Sequence, residues 1–192
     1  MVVLILGIIL FLGIHSTRIF APGWRSDFIA ARGEGAWKGL YTLVSIVGFV
    51  LIVWGFGMAR TTAPILYSPP VWTRHIALLF MIPAMVFLVA SQVPAGRIKA
   101  AVKHPMLLSV KIWAFAHLLA NGDLASLILF LSFLAWAVAD RISEKRRLRA
   151  GLSRPIVAGP VKYDVISVVV GLLLYLLFVW KLHLWLIGVS PV

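Results

Sequence analysis

The sequence predicts an all-α bundle of about six transmembrane helices, and three observations lead there. Of the 192 residues, 62% are hydrophobic and only 12% are charged, about half the charged share of a soluble domain. The apolar residues arrive in runs of roughly 16–24, long enough to cross the hydrocarbon of a bilayer. Within each run Leu, Ile, Val, Phe and Trp follow one another without the in–out alternation of a barrel strand. So short a chain cannot hide that much apolar surface in a soluble core. In lipid, a backbone that must satisfy its own hydrogen bonds becomes helical. The whole of 1–192 reads as a single transmembrane domain.

The expected elements follow from the runs and their punctuation. The first span is Val2–Phe20, ended by Pro22 and Gly23. It has neither a basic leader nor a small-x-small cleavage site, so it reads as a retained span. A polar loop with Arg25, Asp27, Arg32 and Glu34 precedes the second span, Trp37–Ala59, where Trp37 and Tyr41 stand at interfacial positions. Pro64, Pro69 and Pro70 make the next stretch loop. The third span, Val71–Ser91, carries Pro83, which should kink it. A basic loop, Gln92–Lys103, leads to the fourth span, Pro105–Ala120, with proline acceptable in its first turn. Asn121-Gly122-Asp123 is a tight reversal in which Asp123 caps the fifth span, Leu124–Ile142. A longer basic segment, Ser143–Lys162, precedes the sixth span, Tyr163–Ile187.

Charge sets the orientation. Of 18 Lys and Arg residues, all but four fall in loops on one side, among them Arg18, Arg25, Arg97, Lys103 and the Arg141–Arg149 run. Arg60, Arg74 and Lys181 fall on the other, and Lys111 lies inside the fourth span. The crowded side is the cytoplasmic one. The expected location is therefore a bacterial inner membrane, crossed several times, with both termini periplasmic. The net charge of +12 suggests anionic lipid rather than nucleic acid, because the basic groups border apolar runs. The chain has no cysteine, which excludes disulfides, thiolate nucleophiles and iron–sulfur clusters.

Ionisable groups at membrane depth mark candidate sites. They are His15, His75, His104, His117, Lys111 and Asp123; His183, near the end of the last span, is less prominent. His104 and His117 are separated by a rise of roughly 20 Å and about 140° of helix rotation, so they cannot share one metal. Histidines without cysteine favour haem or a proton relay over zinc. Gly7, Gly13, Gly48 and Gly55 offer clearance for a porphyrin, and Trp54, Phe56, Trp113 and Phe115 offer rings to pack on it. Plainer roles compete: an intramembrane histidine bonded to a neighbouring helix, Lys111 snorkelling to headgroups, Asp123 as a cap, glycines as helix contacts.

Three stretches, FLGIHSTRIFAPGWR, KGLYTLVSIVGFVLIVWGFGMAR and GRIKAAVKHPMLLSVKIWAFAHLLANGD, carry a resemblance. They resemble the NnrU family, most specifically in His15-Ser16, Lys103-His104-Pro105 and Ala116–Asp123. The resemblance implies an association with denitrification and nitric oxide reduction. The family is similar in turn to the haem-b zeta-carotene isomerase, which implies a haem iron held by His15 and His117, with His75 and His104 the alternative that helix depth suggests. Where that isomerase has a cysteine one turn before the second histidine, this chain has Ala114. Three readings follow. The first is a haem-b protein of nitrogen-oxide or respiratory metabolism, with the lipid bilayer and respiratory or denitrification proteins as partners. The second is a haem-dependent polyene isomerase taking an apolar small-molecule substrate from lipid. The third is a non-haem transporter or structural protein.

Overall fold

The computed structural model describes residues 1–192. Its helices are α1 (Val2–His15), α2 (Thr17–Phe20), α3 (Pro22–Ala59), α4 (Val71–Gln92), α5 (Arg97–Val102), α6 (Pro105–Ala120), α7 (Leu124–Arg149) and α8 (Lys162–Leu177). The last continues through a π-helical turn, Phe178–Leu182, into α9 (His183–Ile187). There is no sheet, only one isolated antiparallel bridge between Ile65 and Asp123. Four helices, α3, α4, α7 and the composite 162–187, are long and apolar enough to cross a membrane; α1 and α6 are apolar but shorter. This is the expected all-α membrane bundle.

The boundaries differ from expectation in four places. The stretch expected to be a polar loop, 22–32, is helical and is separated from the spanning part of α3 by Gly33, whose φ of 83° and ψ of 160° break the helix. Its aromatic residues explain this: Trp24 and Phe28 pack on Trp37 at centroid distances of 5.7 and 5.8 Å, while the Arg25 guanidinium lies 5.6 Å over Trp37. A charged segment that turns such rings to one side suits a membrane interface. The first span stops at His15, and α2 follows a turn at Ser16. The basic loop contains α5, whose first amides, Arg97 and Ile98, donate to the Asp164 carboxylate at 3.0 and 2.9 Å. Finally, α7 runs on to Arg149, where Glu144 bridges Arg18 at 3.6 Å.

The helices stand in a row of neighbours, in the order α3, α1, α7, α6, α4, α8. Close approach rests on small residues, as it must where lipid removes the hydrophobic drive between helices. Gly7 faces Ile52, Gly48 faces Phe11 and Gly55 faces Leu4, an antiparallel register in which any added Cβ would collide with the opposite backbone. These glycines seat α1 on α3 and clear no space for a cofactor; Gly13 has nothing within 4 Å. Gly171 performs the same service for α8 against Val86 of α4. One buried polar contact joins α4 and α6: the Ser109 hydroxyl donates to the Ala84 carbonyl at 2.8 Å. Ile46, Phe49, Val53 and Trp54, all more than half exposed, form an outward apolar face on α3.

The α6–α7 reversal forms as its residues dictate. Asp123 takes an extended conformation, and its carboxylate accepts from the Ser126 amide at 2.9 Å and the Ser126 hydroxyl at 2.6 Å. The segment after α3 folds onto it, with Leu66 N–H donating to Gly122 O and Leu124 N–H to Pro64 O. Asp123→Ala is therefore expected to destabilise the protein by about 1 kcal/mol. Thermal unfolding in detergent checks this, with Asp123→Asn expected to recover most of the loss.

Candidate functional site

A partly open cavity of about 220 Å³ lies between α4, α6 and the C-terminal helix. Arg74 and Met81 of α4, His117 of α6 with Asn121 just after its end, and Tyr175 and His183 of the last helix face it, and residues 189–191 fold back across it. Each wall has a local cause. Gly188 adopts a left-handed conformation (φ 77°, ψ 16°) that ends α9 and turns the chain back. Arg60, at the end of α3, donates to the Ile187 carbonyl at 2.7 Å and fixes that end. The amide of Asn121 donates to the His117 carbonyl at 2.9 Å, and the Tyr67 hydroxyl reaches the Leu118 and Asn121 carbonyls. The end of α6 is thus held by its own reversal.

His117 is the central group. Its ring lies 4.6 Å from Phe130 and 5.4 Å from Trp113, centroid to centroid. Its Nδ1 is 2.8 Å from the Trp113 carbonyl. A carbonyl can only accept, so Nδ1 carries the proton of the neutral ring and Nε2 keeps the lone pair, with no protein donor bound to it. His183 repeats this arrangement: Nδ1 lies 2.7 Å from the Val189 carbonyl, which also pins the returning tail. The two imidazoles are 6.3 Å apart and inclined by 22°. A carbonyl-anchored imidazole with a free Nε2 is the usual form of a histidine metal ligand.

The other candidate histidines lie elsewhere. His15 donates from Nδ1 to Phe11 O at 2.6 Å and is wrapped by Phe11, Tyr41 and Trp136 at 4.2, 5.0 and 6.1 Å. Phe11, Phe133 and Trp113 stand in line between it and His117, at successive centroid distances of 5.8 and 5.6 Å. The structure therefore does not bring His15 to His117. His75 is exposed on α4 and does not face the cavity, although its neighbour Arg74 does. His104 precedes α6 on the basic side, where burial first, and then Arg141, holds its pKa below the usual 6.5. Of the rings considered for a porphyrin, Trp54 points outward, Phe56 packs on Phe130, and Phe115 packs on Phe80; only Trp113 touches His117.

Sequence reasoning undervalued His183 and missed Arg74 and Tyr175. Arg74 had a signal, as one of few cations on its side of the membrane. His183 had little, lying near the end of the last span.

The donor set can be tested against a haem. No cluster of three or more His, Cys, Asp or Glu exists that would hold a free metal ion. Zinc, which requires about four protein or solvent ligands in a tetrahedron, is poorly served. A haem iron needs only one or two axial imidazoles from the protein. His117, lining an apolar cavity with Arg74 at its edge, offers one such imidazole, and the cavity, at about 220 Å³, would have to widen to take the macrocycle.

A family model described as NnrU protein matches residues 3–191. No curated protein and no solved structure matches the chain.

Proposed function

Since the chain belongs to the NnrU family, we propose that it is a multi-pass haem-b protein of a bacterial inner membrane, acting in nitric oxide or related respiratory chemistry. His117 is the iron ligand in this reading, and the observation that carries it is the His117 ring, anchored through Nδ1 and lining the cavity. The Trp113 carbonyl holds the ring's tautomer and direction, and Phe130 and Trp113 restrict its rotation. Arg74 supplies the cation that a carboxylate-bearing cofactor needs at the cavity edge. Bound haem would supply an iron able to exchange electrons or take a diatomic ligand. The termini face the periplasm, as the distribution of Lys and Arg argues. The polyene-isomerase reading draws less support, because Ala114, one turn before His117, is fully buried and has no ligand atom to exchange.

The test is a visible spectrum of protein purified in detergent after expression with added haem precursor. A Soret band and about one haem per chain by pyridine haemochromogen assay are expected. Protein that folds but shows no Soret absorption sinks the proposal.

A further inference from the structure

At about 220 Å³ the cavity is smaller than the roughly 300–1,000 Å³ that a site for a drug-sized ligand encloses, so a wall must give way before a macrocycle enters. Three walls are locked. Gly171 of α8 lies so close to α4 that an added Cβ would stand 2.7 Å from the Val86 backbone. The Ser109 hydroxyl ties α6 to the Ala84 carbonyl of α4 at 2.8 Å. Tyr67 and Asn121 hold the end of α6. The fourth wall differs. Val189, Ser190 and Pro191 cross the cavity as irregular backbone, and no amide in 189–192 donates a hydrogen bond. A single hydrogen bond holds this stretch, from His183 Nδ1 to the Val189 carbonyl at 2.7 Å.

The same stretch has a pivot. Gly188, between the end of α9 and the crossing residues, sits at φ 77° and ψ 16°, a region that glycine enters and leaves without steric cost. On its helix side, Arg60 donates to the Ile187 carbonyl at 2.7 Å, so rotation at Gly188 moves residues 189–192 and leaves α9 in place. Pro191 restricts Ser190 to extended conformations, which makes the moving piece stiff. Val189 and Val192, 42% and 78% exposed, have little packing to lose. We propose, resting on the haem reading above, that residues 189–192 are a strap, latched by His183, that swings outward about Gly188 to admit a porphyrin beside His117. A ligand that needs the open form binds with an affinity reduced by the fraction of protein that is open, so the latch sets how readily the site loads.

The chain has no cysteine, so Ser190→Cys gives a unique attachment point for a nitroxide on the strap. The full chain in detergent is compared with His183→Ala and with His183→Asn, whose side-chain amide can donate to the Val189 carbonyl in place of Nδ1. Before haemin is added, the nitroxide spectrum should be broad with His183, narrow with His183→Ala and broad again with His183→Asn. Added haemin should narrow the His183 spectrum as the Soret band grows. In unlabelled protein, His183→Ala should take up haemin about three- to tenfold faster, the factor that one hydrogen bond of average strength supplies, with final occupancy within about twofold of wild type. A spectrum that is the same in all three haem-free proteins, one that stays broad with haemin bound, or loss of haemin from His183→Ala overturns the strap and leaves the haem reading standing. A wild-type protein without a Soret band removes both.

Discussion

Gly55→Leu is expected to abolish accumulation of folded protein, the largest stability effect of any single change in this bundle. Gly55 meets Leu4 so closely that an added Cβ would lie far inside van der Waals contact with the Leu4 backbone, and one added at Gly48 would lie 2.7 Å from the Phe11 amide nitrogen. The obstacle in each case is backbone, which cannot rotate away as a side-chain tip can. Accommodating leucine means pushing α1 off α3. That exposes Leu4, fully buried, with Ile8 and Ile52, and opens the cluster that reaches Ala114, Leu129 and Phe130. Overpacking commonly costs 1–3 kcal/mol, and a backbone clash repeated along one seam should exceed about 3 kcal/mol. Gly13→Leu and Gly57→Leu are the controls, because nothing lies within 4 Å of either glycine. Both should leave thermal stability in detergent unchanged or slightly raised, since leucine is the better helix former. Equal tolerance at Gly55 and Gly57 would show that α1 does not rest on α3 as described.

The bilayer explains what the sequence could reveal. Hydrocarbon thickness fixes the length of an apolar run, so the six apolar helices could be located from composition and punctuation, four of them long enough to cross a membrane. Asp123, followed by an apolar run, announced its cap for the same local reason. Interhelical position is not encoded that way. The 22–32 segment looked like a loop because it holds Arg25, Asp27 and Arg32, yet charges suit the water side of an interfacial helix whose Trp24 and Phe28 turn toward Trp37. Small residues were visible in the sequence, but whether they met a helix or a cofactor depended on register; Gly7, Gly48 and Gly55 fall on one seam. The site was hardest to read. Depth set His15 apart from His117 and paired His75 with it instead, yet His75 is exposed and off the cavity, because depth says nothing of which face a ring takes.

Replacing His117 by alanine is expected to remove nearly all bound haem, a loss of tenfold or more, since even second-shell changes at metal sites cost about 10–100-fold in affinity. The ring is held on three sides, by Trp113 through both its carbonyl and its indole and by Phe130 at 4.6 Å. Removing it leaves a space the size of an imidazole beside the cavity, and free imidazole in the buffer should restore part of the Soret band by filling it. That rescue separates a lost ligand from a collapsed fold. His15→Ala supplies the contrast: its ring packs against Phe11, Tyr41 and Trp136, beyond the aromatic line formed by Phe133 and Trp113. It should lower thermal stability modestly and leave haem content within about twofold, as distant sites act nearly independently. The reverse pattern, haem lost with His15 and kept without His117, would move the iron to the other half of the bundle.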